Sequence, residues 1–140
     1  MIKPNQKRGN MKVREIMRNA RTVPVGTNVM AAAKIMNDRR IGSVIVIDGK
    51  KIAGIMTERD ILEKVTAKNK LASKVRVDDI MTKKVISIEP EAFIDDAVYL
   101  LISRKIKKLP VIEDGELVGI ITSTDLMTNS TEVGQFYIFD

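Results

Sequence analysis

The sequence predicts a mixed α/β (α+β) fold built from two tandem copies of one βαββα unit, and three observations predict it. First, sliding the chain by 65 residues lays Val23 to Leu62 over Ile88 to Met127 without a gap, and nine of the forty pairs are identical. Second, those identities, among them Gly54/Gly119, Thr57/Thr122 and Asp60/Asp125, cluster where local structure should change direction. Third, each copy follows a similar lead-in, Val13-Arg-Glu-Ile-Met17 and Val77-Asp-Asp-Ile-Met81. Their spacing to the main block differs by one residue, as a short surface connection allows.

In the first copy, a strand around Val23 precedes a helix through Val29, Ala32, Ala33 and Met36. Strands at Val44 to Ile47 and Ile52 to Met56 flank the turn Asp48-Gly-Lys-Lys51, and a helix then runs through Ile61, Leu62 and Val65. In the second copy, Val85 to Ile88 reads as a short strand stopped by Glu89-Pro90. From Ala92 the apolar residues Phe93, Ile94, Ala97, Val98, Leu100 and Leu101 recur at helical spacing. Leu109 to Ile112 and Leu117 to Ile121 are aliphatic strands joined by the polar turn Glu113-Asp-Gly-Glu116. A last helix begins near Ser123, with Leu126 and Met127 on its inner side.

These elements divide the chain into a flexible basic N-terminal tail (1–10), a first repeat (11–67), a basic connector (68–76), a second repeat (77–130) and an aromatic C-terminal tail (131–140). The connector's basic character begins at Lys64 and runs to Arg76. The tail Gln135-Phe-Tyr-Ile-Phe139 holds three of the five aromatic residues. It reads either as a strand or plug over the chain's own core or as a dimer contact.

Composition narrows the chemistry. With 140 residues, 44% hydrophobic and 30% charged, the chain has the size and mix of one compact domain. Cysteine and histidine are absent, which excludes disulfides, a thiolate nucleophile, a Cys/His metal site and a histidine base. Met1 to Asn10 lacks the apolar stretch of a secretory signal, and no apolar run approaches the roughly 20 residues of a membrane span. The expectation is a cytoplasmic protein without a membrane partner. The net charge of +6 suits a polyanionic partner, or is an ordinary solvated surface.

The most specific local pattern is Gly54-Ile-Met-Thr-Glu-Arg-Asp60, repeated as Gly119-Ile-Ile-Thr-Ser-Thr-Asp125. A strand ends at a threonine and a helix starts with an aspartate in its first turn. Unpaired N–H groups at such a start attract a phosphate, and a carboxylate can accept two hydrogen bonds from a ribose diol. The competing reading is local: Thr57 and Thr122 are plain N-caps, and Asp60 and Asp125 favour the helix dipole.

Ile41-Gly-Ser-Val-Ile-Val-Ile47 with Ile52 to Asp60, and Ile106-Lys-Lys-Leu-Pro-Val-Ile112 with Leu117 to Asp125, resemble the two halves of a cystathionine-beta-synthase-type (CBS) domain pair. The lead-in Asp79-Ile-Met-Thr82 fits the same pattern, and the likeness covers roughly residues 11 to 130. It implies two CBS repeats packed with pseudo-twofold symmetry, a stand-alone Bateman module with two clefts between the copies. Other members bind AMP, ADP, ATP or S-adenosyl compounds there.

The resemblance implies ribose-binding roles for Asp60 and Asp125, and hydroxyl contacts from Thr57, Thr122 and Thr124. Arg59 stands where the second copy has Thr124, and a guanidinium there either grips a phosphate or blocks it. Lys107 and Lys108 precede the Leu-Pro as phosphate contacts or as a solvated basic edge, while the first copy has Gly42 and Ser43. Thr82, Val85 and Ile86 are implied to line the cleft of Asp60, and Arg18 to Thr22 that of Asp125, with Arg18 departing from the threonine. The two clefts are therefore expected to bind unequally.

The expected function is a regulatory module that senses an adenosine-containing ligand and signals to a regulated protein. It is not an enzyme, because no nucleophile, base and oxyanion arrangement can be named. No cofactor is required; an adenine nucleotide or S-adenosyl ligand acts as effector. The family commonly pairs two such modules into a flat disc, which implies a homodimer. The alternatives are a nucleic-acid-binding protein using Lys64, Lys68, Lys70, Lys74 and Arg76, and a purely structural dimerisation module.

Overall fold

A computed structural model describes residues 11–129; the tails expected at 1–10 and 131–140 lie outside that range. The chain forms two compact units. One is Ala20–Val85; the other, among the described residues, joins 11–19 to 86–129. Each unit thus combines the strands and helices of one repeat with the lead-in that precedes the other.

In the Ala20–Val85 unit, β1 (Thr22–Pro24) pairs parallel with β2 (Ser43–Asp48), and β2 pairs antiparallel with β3 (Lys51–Thr57). Helix α1 (Val29–Arg39) connects β1 to β2. Its N-cap Asn28 accepts a hydrogen bond from the Ala31 amide at 2.8 Å, satisfying one of the donors a helix start leaves open. After β3, the short helix α2 (Glu58–Ile61) widens into a π-helical turn at Leu62–Thr66. The connector is well tied: Lys70 N donates to Val65 O at 2.9 Å, and Val29 N to Val75 O at 2.8 Å. It leads into α3 (Val77–Ile80), and Val75, Val77 and Ile80 complete the core begun by Val23, Val29, Ala32, Val44, Val46 and Met56.

The second unit repeats this plan with α4 (Ile94–Ser103), β4 (Lys108–Glu113), β5 (Glu116–Thr122) and α5 (Ser123–Asn129). Even the irregularities recur. The ladder β2/β3 shifts register between Val46 and Ile47, and β4/β5 shifts between Val111 and Ile112, the same place in the repeat. Helix α1 ends at Arg40 with φ 54°, and α4 is followed by Lys105 with φ 53°. The lead-in enters through a 3₁₀ turn at Val13–Glu15, where Val13 N donates to Ala92 O at 2.8 Å and Ile94 N to Met11 O at 2.9 Å. Val13 is fully buried among Ile94, Ala97, Val98, Leu109, Val111 and Ile121. The Lys12 ammonium sits 2.6 Å from Glu91, and this hydrogen bond, with the charges of Arg14 and Lys12, holds the Glu91 carboxyl below the usual carboxylate range.

One expected strand is reduced to a single contact. Val85 to Ile88 forms no strand of its own; only Ile88 pairs, in parallel, with Val111. The reason is two prolines. In the first unit the Ile45 amide donates to Arg21 O at 3.0 Å and the Val25 amide to Ile47 O at 2.9 Å, and the equivalent positions in the second unit, Pro110 and Pro90, have no N–H to give. Met127, expected on the inner side of its helix, is 39% exposed, and the helix residues Leu62 and Phe93 are exposed as well. Among the described residues no helix is long and apolar enough to cross a membrane.

Candidate ligand-binding sites

Strand β3 runs out at Thr57, and Glu58 N begins the helix by donating to Gly42 O at 3.0 Å. The Thr57 hydroxyl accepts from Asp60 N at 3.2 Å, while Asp60 Oδ2 accepts from Thr57 N at 2.9 Å and lies 3.1 Å from the hydroxyl. Within this reciprocal capping box Asp60 is buried, with 8% of the residue exposed. Its other oxygen, Oδ1, faces the Lys64 ammonium at 3.0 Å, and Lys64 also donates to Ile80 O at 2.8 Å.

The second unit builds the same box. Ser123 N donates to Lys107 O at 3.0 Å, Asp125 N donates to the Thr122 hydroxyl at 3.0 Å, and Asp125 Oδ2 accepts from Thr122 N at 3.0 Å. Asp125 is 5% exposed, and its Oδ1 lies 2.8 Å from Arg18 Nε. The countercharge comes from a different element here. Arg18 belongs to the lead-in, which exchanges two backbone hydrogen bonds with Ile120 at 2.8 and 2.9 Å. Thr82 exchanges the same pair with Ile55 but brings no charge, and Lys64 on the helical turn supplies it instead.

Both lead-ins lie so close to their strands that only glycine fits beneath them. A Cβ on Gly54 would stand 2.6 Å from Met81 Sδ and 2.7 Å from Thr82 O; on Gly119 it would meet Met17 Sδ at 2.9 Å and Arg18 O at 3.0 Å. The glycines in the repeated motif are therefore required by the backbone approach that delivers Thr82 and Arg18.

The residues singled out in the sequence divide as follows. Thr57, Asp60, Thr82, Val85, Arg59 and Thr22 belong to the Ala20–Val85 unit; Thr122, Thr124, Asp125, Lys107, Lys108, Arg18 and Ile86 belong to the other. Lys108 stands opposite Thr122 in the β4/β5 register, and the exposed Lys107 and Thr124 flank the same helix start. Arg59 is 79% exposed and held by Glu63 at 2.7 Å, one turn along its own helix. Lys64 is the residue that sequence reading missed at this site. Its position four residues after Asp60 on a helical segment was the available signal. Among the described residues, no three of His, Cys, Asp and Glu gather as a metal site.

A strand-end threonine, a buried capping aspartate and a nearby cation are thus built twice, once in each unit. The model of the CBS domain family matches residues 13–67 and 77–132, and the chain belongs to this family. It is 38% identical over 106 residues to the uncharacterized protein MK0525 of Methanopyrus kandleri, a match covering 74% of this chain and 54% of that one. The fold is shared with a CBS-domain protein from Burkholderia ambifaria at 35% identity and TM-score 0.78, covering 85% of this chain and 93% of that one. The CBS domain pair of MJ0100, solved with 5-methylthioadenosine and S-adenosyl-L-methionine, has TM-score 0.75 and 30% identity over 85% of this chain and 94% of its own. CBS pairs are regulatory ligand-binding modules, and this chain is of that kind.

Proposed function

We propose that the chain is a non-catalytic sensor of an adenosine-containing ligand (AMP, ADP, ATP or an S-adenosyl compound), using Asp60 and Asp125 to hold ribose and passing occupancy to a regulated protein. The observation that carries this reading is the repeated geometry: each buried carboxylate has Oδ2 committed to its helix cap and Oδ1 facing a side-chain cation. A ribose diol offers two hydroxyl donors and can take the place of that cation at Oδ1. The displaced Lys64 or Arg18 stays within a side chain's reach, ready to meet a phosphate or carboxylate of the same ligand. The adenosine compounds bound by MJ0100 support the ligand class.

The test is calorimetric titration with AMP, ATP and S-adenosylmethionine. Saturable binding below millimolar by at least one of them is expected, and none by any would overturn the reading. Asp60→Asn and Asp125→Asn keep an oxygen for the cap but remove the charge, so each should abolish one site and leave the other. The sites should differ in affinity, because one counter-cation is a lysine held also by a backbone carbonyl and the other an arginine carried on the lead-in. We further infer association into a homodimer, supported by Tyr99 and Ile102, which α4 leaves 70% and 55% exposed; light scattering reads it directly.

A further inference from the structure

We propose that the basic connector is a docking groove for an acidic, leucine-bearing segment of a partner protein. A groove of about 620 Å³ lies wholly within the Ala20–Val85 unit, with Lys64, Lys68, Lys70 and Lys74 on its rim around the exposed Leu71, and the buried Val75 and Ile80 beneath. Among the described residues Asp79 is the only acidic one lining it, and its carboxylate already accepts the Arg76 amide at 3.2 Å. Lys68, Lys70 and Lys74 are exposed and have no ion-pair or side-chain hydrogen-bond partner among the described residues.

The groove is a fixed feature rather than a solvated linker. Ala67 N donates to Leu62 O at 2.8 Å, Lys70 N to Val65 O at 2.9 Å and Lys74 N to Leu71 O at 2.8 Å, with Asn69 between them in the left-handed region at φ 55°. Asparagine tolerates that conformation, so the turn that spaces Lys68 from Lys70 is built in at little cost. Cations whose backbone is already ordered lose less freedom when a ligand binds.

The choice of occupant follows from Leu71. Leu71 is 65% exposed in the middle of the lysine rim. A polyphosphate or nucleic-acid backbone would satisfy the rim but leave Leu71 in water. The groove also has no aromatic residue on which a base could stack. An acidic segment with an aliphatic side chain satisfies both, with charge setting the encounter and leucine the anchor. The groove does not depend on the adenosine reading, although Lys64 serves both places.

The experiment uses the full chain and fluorescence anisotropy with three labelled probes: a glutamate-rich peptide with interspersed leucines, an all-glutamate peptide of equal length, and oligothymidylate. The leucine-bearing peptide should bind about tenfold more tightly than either of the others. The triple variant Lys68→Ala/Lys70→Ala/Lys74→Ala should weaken it by roughly tenfold. Leu71→Ser should bring it down to the all-glutamate peptide. These side chains are exposed, so the variants should melt like the parent protein. Oligothymidylate binding as well as the leucine peptide, undiminished peptide binding by the triple variant, or no peptide binding at all would each overturn the proposal. Adenosine-ligand titration of the triple variant separates this outcome from failure of the sensor reading, because none of the three lysines touches Asp60.

Discussion

Arg40 and Lys105 hold the same position in their repeats, just past a helix that ends in a left-handed residue. There the chain turns back so that Ile41 N reaches Met36 O and Ile106 N reaches Leu101 O, both at 3.0 Å. Glycine is the residue that adopts this conformation without strain from a Cβ. Arg40→Gly and Lys105→Gly should therefore each stabilise the protein, by about 0.5 to 1 kcal/mol after the greater freedom glycine has when unfolded. Urea denaturation checks this, and a fall in midpoint for both would contradict the account. The residues of the candidate sites were partly legible at this scale. Threonine and aspartate three residues apart at a strand–helix junction are recognisable in either copy, and the structure shows both as caps. Their counter-cations were harder to read. Arg18 stood out only as a departure from a threonine, and Lys64 was counted with the connector although it lies one turn beyond Asp60.

Among the elements, the lead-ins show best how packing decides what a sequence pattern means. A Val-x-x-Ile-Met segment precedes each repeat, and its apolar residues alone do not say which strand it will cover. The answer lies in the close approach over Gly54 and Gly119. Alanine at either site forces a shift of the lead-in, at a cost of about 1 to 3 kcal/mol. Gly54→Ala should be the more damaging, since its Cβ would meet a backbone oxygen at 2.7 Å rather than 3.0 Å. Equal denaturation midpoints for the two variants would refute that ranking. The element read least well was Val85 to Ile88. Its aliphatic composition suits a strand, but pairing also needs donors, and Pro110 on the neighbouring strand and Pro90 at the segment's own end withhold them. Strand propensity was visible in the segment itself; half of the missing pairing belonged to another.

For the whole molecule, the sequence repeat and the folded unit are cut at different places. The repeat was legible because duplication preserves spacing, and the βαββα order follows from it. The compact unit was not, because residues 68–85 look like linker and lead-in yet supply Val75, Val77 and Ile80 to the core of the first repeat. A fragment spanning 20–85 should therefore retain a cooperative thermal transition, while one spanning 11–67 should not, although they are of similar length. Circular dichroism of the two fragments decides it.

The separation of the first lead-in from its partner strand also sets an order of events during synthesis. Arg18 leaves the ribosome well before Ile120, the residue with which it exchanges hydrogen bonds. With on the order of 100 residues still to be made, at about 5 to 20 residues per second, the interval is on the order of 5 to 20 s. During that time the Ala20–Val85 unit can close on itself, whereas Val13 has no Ile94, Leu109 or Ile121 to bury against. The 20–85 unit can thus close first, while Val13 and Arg18 wait for partners that are made only later.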